Sequence, residues 1–461
     1  MVEKGLFVAK KKELQKSVVC KKRIKREELF RIMKRKIADD LLWWKNLGDE
    51  RMPLLLYGAR QIGKTYQLQR FGEENYKSSV YMNFEAEPVF HQLFADSINP
   101  DKLLPKIERF FNLSITPGET LLIFDEIQAC NRALTSLKYF CEQAPQIDVV
   151  AAGSLLGVHT SATDFSFPVG KVITKVMYPL TFEEFLWESD LSHLADSIEN
   201  CYKNNKPMEE TAHRSLLELY KEYLVVGGMP LSIYHYFKRD KALTFRDIQG
   251  IIVDTYISDM TKYSEKSQSI KTINTYESIV SQLAKENKKF QYKLITKGAR
   301  ASLYGESIDW LIRAGVVLQC TKITSGNILP AISKDDSSFK LYMSDVGLLS
   351  HKAGITRVNM EIFDHTFLGG ITENYVANQL AANGYELYYW SSDSKAEVDF
   401  VIVKNDMIIP VEVKTGENVR SYSLNVYCKR YNPEYAIRIS GKNFGFENGV
   451  KSVPLYGAYL I

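Results

Sequence analysis

Leu54-Leu55-Leu56-Tyr57-Gly58-Ala59-Arg60-Gln61-Ile62-Gly63-Lys64-Thr65 is an apolar run that opens into a loop bounded by two glycines. A polar-faced helix, running to about Phe71, is expected after it. The loop fits the pattern Gly, four residues, Gly-Lys-Thr. Gly58 and Gly63 let the backbone turn tightly and aim its amides at phosphates. Lys64 has the reach for β and γ phosphates, and the Thr65 hydroxyl suits a coordination place on Mg²⁺. The following helix adds the positive end of its dipole. Gly58, Ala59, Arg60, Gln61, Ile62, Gly63, Lys64, Thr65 and Tyr66 are therefore the candidate nucleotide-binding residues.

Further along, Glu119-Thr120-Leu121-Leu122-Ile123-Phe124-Asp125-Glu126 reads as a buried strand ending in two carboxylates. Such endings are common. Sixty residues or so after a phosphate loop, this one points to Asp125 beside Mg²⁺ and Glu126 as general base for the attacking water. Asp148-Val149-Val150-Ala151-Ala152-Gly153-Ser154 reads as another buried strand, with Ser154 placed to sense the γ phosphate. A strand at 79–84 and helical stretches lie between these elements. Strand and helix alternate, which predicts an α/β fold: a parallel sheet with helices on both faces and ligand at the carboxyl ends of its strands. Lys171 is a candidate charged finger toward nucleotide in a neighbouring subunit, although arginine suits a phosphoryl group better. Thr181, with Glu184 three residues on, predicts a helix cap.

Composition bounds the rest. A chain of 461 residues, 45% hydrophobic and 25% charged, is an ordinary globular protein of about two to four domains. The formal net charge of +4 neither requires nor excludes nucleic acid, because a local patch can sit within a balanced total. The six cysteines are scattered without a CxxC pair, and the seven histidines are isolated, which predicts reduced thiols, no zinc site and a cytoplasmic protein. Neither a signal peptide nor a membrane span is expected. Residues 22–47 have helical spacing, and the basic run Lys21 to Arg26 reads as its solvated face more readily than as a nucleic-acid contact.

The second half predicts different structure. Residues 187 to about 290 read mainly as helices, with a helix end and turn at Tyr223 to Pro230. From 278 to 318 two helices precede strands at 316–320 and 339–343, the pattern of a small winged-helix unit. Then come a helix carrying Glu373, strands at 385–390, 397–403 and 407–414, and a turn at Lys404-Asn405-Asp406. Asp399, twelve intervening residues, and Glu412-x-Lys414 form an independent constellation. Glu412 and Lys414 share a strand face, and Asp399 lies on the neighbouring strand. Two carboxylates suit Mg²⁺ or Mn²⁺, the lysine orients water, and Glu373 is the candidate third carboxylate.

Together these segments resemble a large prokaryotic group of AAA-like P-loop ATPases that end in a domain of unassigned function. The resemblance runs through 58–65, Leu122 to Gln128, Gly153-Ser154, Pro168 to Lys171 and Pro179 to Phe185. It resumes at Tyr223 to Pro230, Tyr342 to Leu349, Gly369 to Asn378, Glu397 to Phe400 and Glu412 to Gly416. It leaves residues 1–25 as an N-terminal extension without a counterpart, and it implies an ATPase domain over 26–185, a helical lid or linker over 186–262 and a winged-helix-like domain over 263–350. A PD-(D/E)xK nuclease-like domain over 351–461, with a restriction-endonuclease-like fold, completes it. The expected catalytic residues are Lys64, Glu126, Asp399, Glu412 and Lys414. The expected metal ligands are Thr65, Asp125, Glu373, Asp399 and Glu412. The implied cofactors are ATP and Mg²⁺, with Mg²⁺ or Mn²⁺ at the nuclease-like site. DNA, a partner protein and other copies of the chain are the candidate partners. Lys171 departs from the arginine common at the finger position.

Overall fold

The computed structural model describes residues 33–154, 168–239, 241–262, 266–360, 365–392, 396–416 and 422–461. The basic run 21–26, the extension 1–25, the first part of the helix expected over 22–47, and Phe165 to Phe167 lie outside the described residues. The chain divides into two units, Met1–Met177 and Tyr178–Ile461.

The first unit is a parallel sheet. It begins with helix α1 (Ile37–Lys45), then strand β1 (Leu54–Tyr57), helix α2 (Lys64–Asn75) and strand β2 (Ser78–Asn83). Helices α3 (Val89–Ala95) and α4 (Pro100–Phe111), strand β3 (Thr120–Asp125), helix α5 (Asn131–Gln143) and strands β4 (Asp148–Gly153) and β5 (Ile173–Val176) follow. The strand order is β2-β3-β4-β1-β5, and every neighbouring pair is parallel. Every residue of β1, β3 and β4 is buried, as the unbroken apolar runs require of strands covered on both faces. One face packs Tyr57, Met82, Phe124 and Ala151 against Phe90, Phe94, Leu103 and Ile107, together with Leu137 and Phe140 of α5. The crossover order sets β4 between β1 and β3, so the loop after Tyr57, Glu126 after Asp125, and Ser154 after Gly153 emerge side by side.

The second unit opens with α6 (Phe182–Trp187), whose capping box forms as expected between Thr181 and Glu184. Helices α7 (Ala195–Asn204), α8 (Glu210–Val226), α9 (Pro230–Lys238), α10 (Phe245–Lys262), α11 (Lys266–Leu283) and α12 (Ala301–Arg313) follow. Next come strand β6 (Val317–Ile323), a short helix α13 (Pro330–Ser333), strand β7 (Lys334–Met343), and helices α14 (Val346–Lys352) and α15 (His365–Ala382). Then come β8 (Tyr388–Ser391), β9 (Glu397–Lys404), β10 (Met407–Val413), α16 (Tyr422–Tyr431), β11 (Ala436–Ser440), β12 (Gly445–Glu447) and β13 (Val450–Pro454), followed by a 3-10 helix over Leu455–Leu460.

The two strands expected to form a wing pair antiparallel, but they also continue the C-terminal sheet. Its order is β12-β13-β11-β10-β9-β8-β6-β7, so strands from both sides of residue 350 share one sheet. Tyr178 to Phe185, expected to close the ATPase domain, cluster with the second unit. The hairpin between β9 and β10 turns on Asn405 and Asp406, both with positive φ, as a two-residue turn demands.

Two motifs with no evident chemistry in the sequence turn out to be one packing contact. Gly227, at φ 73°, and Gly347 lie backbone against backbone: a Cβ on Gly347 would stand 2.5 Å from the Gly227 nitrogen. Asp345 caps α14 by accepting from the Leu348 amide at 2.8 Å and also accepts from the Gly228 amide at 2.6 Å.

Candidate functional site

Gly58 has φ 149°, and a Cβ there would collide with the Met177 carbonyl, so glycine is required by both conformation and space. Gln61 and Gly63 also have positive φ, which folds the loop back over the start of α2. Arg35, a buried side chain outside the motif, donates from Nη1 to the Ile62 carbonyl at 3.0 Å and pins the loop's crest. Lys64 is 7% exposed and donates from Nζ to the Gly58 and Ala59 carbonyls at 2.9 and 2.8 Å. Burial pulls its ammonium down to about 8, against the pull of Glu126 and Asp125.

Asp125 gathers the metal-side groups. Its Oδ2 accepts from Thr65 Oγ1 at 2.9 Å, from Tyr81 Oη at 2.7 Å and from Asn83 Nδ2 at 3.2 Å. The hydroxyl and carboxylate expected on Mg²⁺ are thus already within one hydrogen bond of each other, and this hard-oxygen donor set fits that ion. Glu126 follows with φ 49° and ψ 45°, a left-handed conformation unusual for a glutamate. Its Oε2 accepts from Gln128 Nε2. Ser154 is 7% exposed at the end of β4. Lys171 pairs with Glu142 of α5 at 3.1 Å, an engagement that a finger would have to release. Tyr81, Asn83, Arg35 and Gln128 were not singled out in the sequence. Asn83 and Tyr81 carried one signal, polar groups at the carboxyl end of a strand next to the acidic one.

In the second unit Asp399, Glu412 and Lys414 lie close together. Lys414 Nζ meets Glu412 Oε1 at 2.7 Å, and Asp399 Oδ2 accepts from the Val413 amide at 2.8 Å. Burial, with Glu373 and Glu412 nearby, pushes the Asp399 carboxyl up. Glu373 does not serve as a third free carboxylate. Its Oε1 takes Lys340 at 2.8 Å and the Tyr342 hydroxyl, and its Oε2 takes Lys288 at 2.9 Å. Lys340, fully buried, also reaches Glu397 at 2.7 Å. Burial works against ionisation of Glu373, but the two lysines hold it well below the usual carboxylate range. Lysines thus engage both oxygens of Glu373 and one of Glu412, whereas Glu412 Oε2 is buried without a hydrogen-bond partner among the described residues and Asp399 Oδ2 takes only the backbone amide of Val413. Among the described residues, no group of three or more His, Cys, Asp or Glu side chains is arranged to hold a metal ion.

Comparisons with known proteins extend this picture. Residues 50–186 match the family model described as "AAA domain". Residues 217–359 and 368–457 match two families described as domains of unknown function, DUF8612 and DUF4143. A search of curated proteins finds no match. Among solved structures, the Walker-type ATPase PABY2304 of Pyrococcus abyssi is 13% identical, with a TM-score of 0.40 over 70% of this chain and 96% of that one. The ORC1 protein of Aeropyrum pernix, solved in complex with DNA, is 11% identical, with a TM-score of 0.29 over 73% and 94%. C. elegans PCH-2 is 13% identical, with a TM-score of 0.26 over 43% and 59%. Likenesses this loose add no argument about function. No helix among the described residues is long and apolar enough to cross a membrane. Residues 50–186 are an AAA-type P-loop domain of the ATPase kind, followed by two regions whose families are described only as of unknown function.

Proposed function

We propose that the chain binds Mg-ATP in the loop Gly58 to Tyr66 and hydrolyses it, and that turnover drives a DNA-related activity of the second unit. The observation that carries the first part is the convergence of Thr65, Tyr81 and Asn83 on one oxygen of Asp125, with Glu126 next in the chain. Backbone amides of the loop and the start of α2 receive the phosphates. Lys64 exchanges its two carbonyl partners for phosphate oxygens, a move within reach of a flexible ammonium. Thr65 and Asp125 hold the Mg²⁺ side. Mg²⁺ held by these two residues would supply electrostatic stabilisation of the phosphate oxygens. Glu126 accepts the proton of the attacking water, the water oxygen bonds to the γ phosphorus, and ADP leaves with the bridging electron pair. Ser154 lies at the neighbouring strand end, where it reports the phosphate state. The test is phosphate release by the wild type and Glu126→Gln, with and without DNA. Turnover by the wild type that the variant lacks supports hydrolysis, and stimulation by DNA supports coupling. Binding without turnover under every condition would leave a nucleotide-gated binding module instead.

Support for the DNA-related part is architectural. Helices α11 and α12 with the β6–β7 pair have winged-helix order, and Lys293, Lys297 and Arg300 precede α12. The sequence α15, antiparallel β8-β9-β10, α16, parallel β11 has the order of a restriction-endonuclease-like core. This order is the observation that favours a second reading, metal-dependent DNA cleavage at Asp399, Glu412 and Lys414. Lys288 and Lys340 engage Glu373, so in that reading a metal ion would be held by Asp399 and Glu412. Mn²⁺-dependent nicking that disappears in Glu412→Ala and Lys414→Ala would support that reading.

A further inference from the structure

Gln128 touches no expected ligand position, yet its side-chain amide spans two of the three strand ends that form the nucleotide site. At one end Nε2 donates to Glu126 Oε2. At the other, Oε1 is buried without a hydrogen-bond partner among the described residues and lies against Gly153, the last residue of β4. A Cβ on Gly153 would stand 2.6 Å from that oxygen, so the missing side chain at 153 is what admits the amide. Asp125 is held independently by Tyr81, Asn83 and Thr65, whereas Glu126, in its left-handed conformation, has Gln128 as its recorded side-chain partner.

We propose that Gln128 is a positioning residue for the general base. Its amide fixes which carboxylate oxygen of Glu126 faces the attacking water, and Gly153 next to Ser154 provides the slot that keeps the amide there. A carboxylate with one oxygen engaged by a fixed donor presents the other in one direction. Without the donor, the side chain samples several rotamers, few of which reach the water. The unpartnered Oε1 faces β4, so a shift of Gly153-Ser154 on nucleotide binding acts on Glu126 through a single rigid amide. This inference rests on the hydrolase reading above and assigns no new ligand.

The test uses full-length protein and steady-state ATP hydrolysis. Gln128→Leu keeps the bulk and removes the donor. Gly153→Ala leaves Gln128 in the sequence but fills its slot; Gly153 is not a positive-φ residue, so alanine meets no backbone strain there. Each variant is expected to lower kcat by about tenfold to a hundredfold with KM for ATP within about twofold, the size of one hydrogen bond to a charged group expressed in the transition state. The double variant is expected to lose no more than the worse single one, because both remove the same contact. Wild-type kcat in Gln128→Leu, or fully additive losses in the double variant, would overturn the proposal. So would parallel loss of kcat, ATP affinity and melting temperature in both variants, which marks a structural role. If Glu126→Gln itself turns over like the wild type, the hydrolase reading fails first, and the two failures are distinguishable.

Discussion

Replacing Lys340 by methionine should cost the second unit a large part of its stability. The ammonium is wholly buried and bridges Glu373 at 2.8 Å and Glu397 at 2.7 Å. Its proton affinity is raised well above the ordinary lysine range: burial works against the charge, and Glu373, Glu397 and Asp399 outweigh it. Methionine keeps most of the unbranched apolar stem and removes the charge. Glu397, 31% exposed, can turn to water and loses little. Glu373 cannot, because it is 3% exposed, although Lys288 and Tyr342 still serve it. Removing one partner of a buried pair costs about 3–5 kcal/mol, and the surviving partners put Lys340→Met near the lower end, about 3 kcal/mol. Against a total of about 5–15 kcal/mol, that is a visible fraction. Urea unfolding of the full chain, with hydrogen exchange read at β7, β9 and α15, measures it. Adding Glu373→Gln to Lys340→Met should cost less than Glu373→Gln costs alone, because the ion pair the two share is already gone. Lys340→Met as stable as the wild type, or a second substitution that simply adds its own cost, would refute the claim that this lysine closes the carboxylate cluster.

Other perturbations have equally definite outcomes. Gly58→Ala should abolish the thermal shift produced by Mg-ATP, since the backbone at φ 149° and the Met177 carbonyl both exclude a Cβ; an unchanged shift would mean the loop is not as drawn. Gly347→Ala should destabilise the second unit by about 1–3 kcal/mol through overpacking against Gly227, read as a lower urea midpoint. Asp345 is pushed up from 3.8 to about 6, chiefly by burial and against the pull of the Gly228, Leu348 and Gly347 amides. The sign follows from linkage: its stabilising contribution is complete below pH 3.8 and is lost as pH rises through about 6, a swing on the order of 3 kcal/mol. Asp345→Asn should flatten stability across that window, and an unchanged pH profile would contradict the assignment.

The first unit was legible because its chemistry and its topology are both local in sequence. Leu54 to Thr65 carries strand, turn and helix start in one run, and continuous apolar strands announce a sheet covered on both faces. The second unit was less legible, since its decisive contacts join distant segments. Lys340 sits in a strand as one charge among Phe339, Leu341, Tyr342 and Met343, and nothing local says that it faces Glu373 on α15 rather than water. Gly227 and Gly347 lie in separate motifs, each readable as a turn, and only their mutual approach explains both. The sharing of one sheet by β6, β7 and the C-terminal strands depends on long-range pairing that side-chain periodicity does not encode. Gln128 was hidden for a different reason: its role comes from an absent side chain at Gly153 on another strand.

The central claim is that the loop from Gly58 to Tyr66 receives the phosphates of ATP, and calorimetric titration of Mg-ATP into the full-length protein and into Lys64→Ala tests it most directly. One equivalent should bind the wild type, and the variant should bind at least about tenfold more weakly, the loss of one strong charge-assisted contact. Equal affinity in the two proteins, or no heat of binding in the wild type, would contradict it.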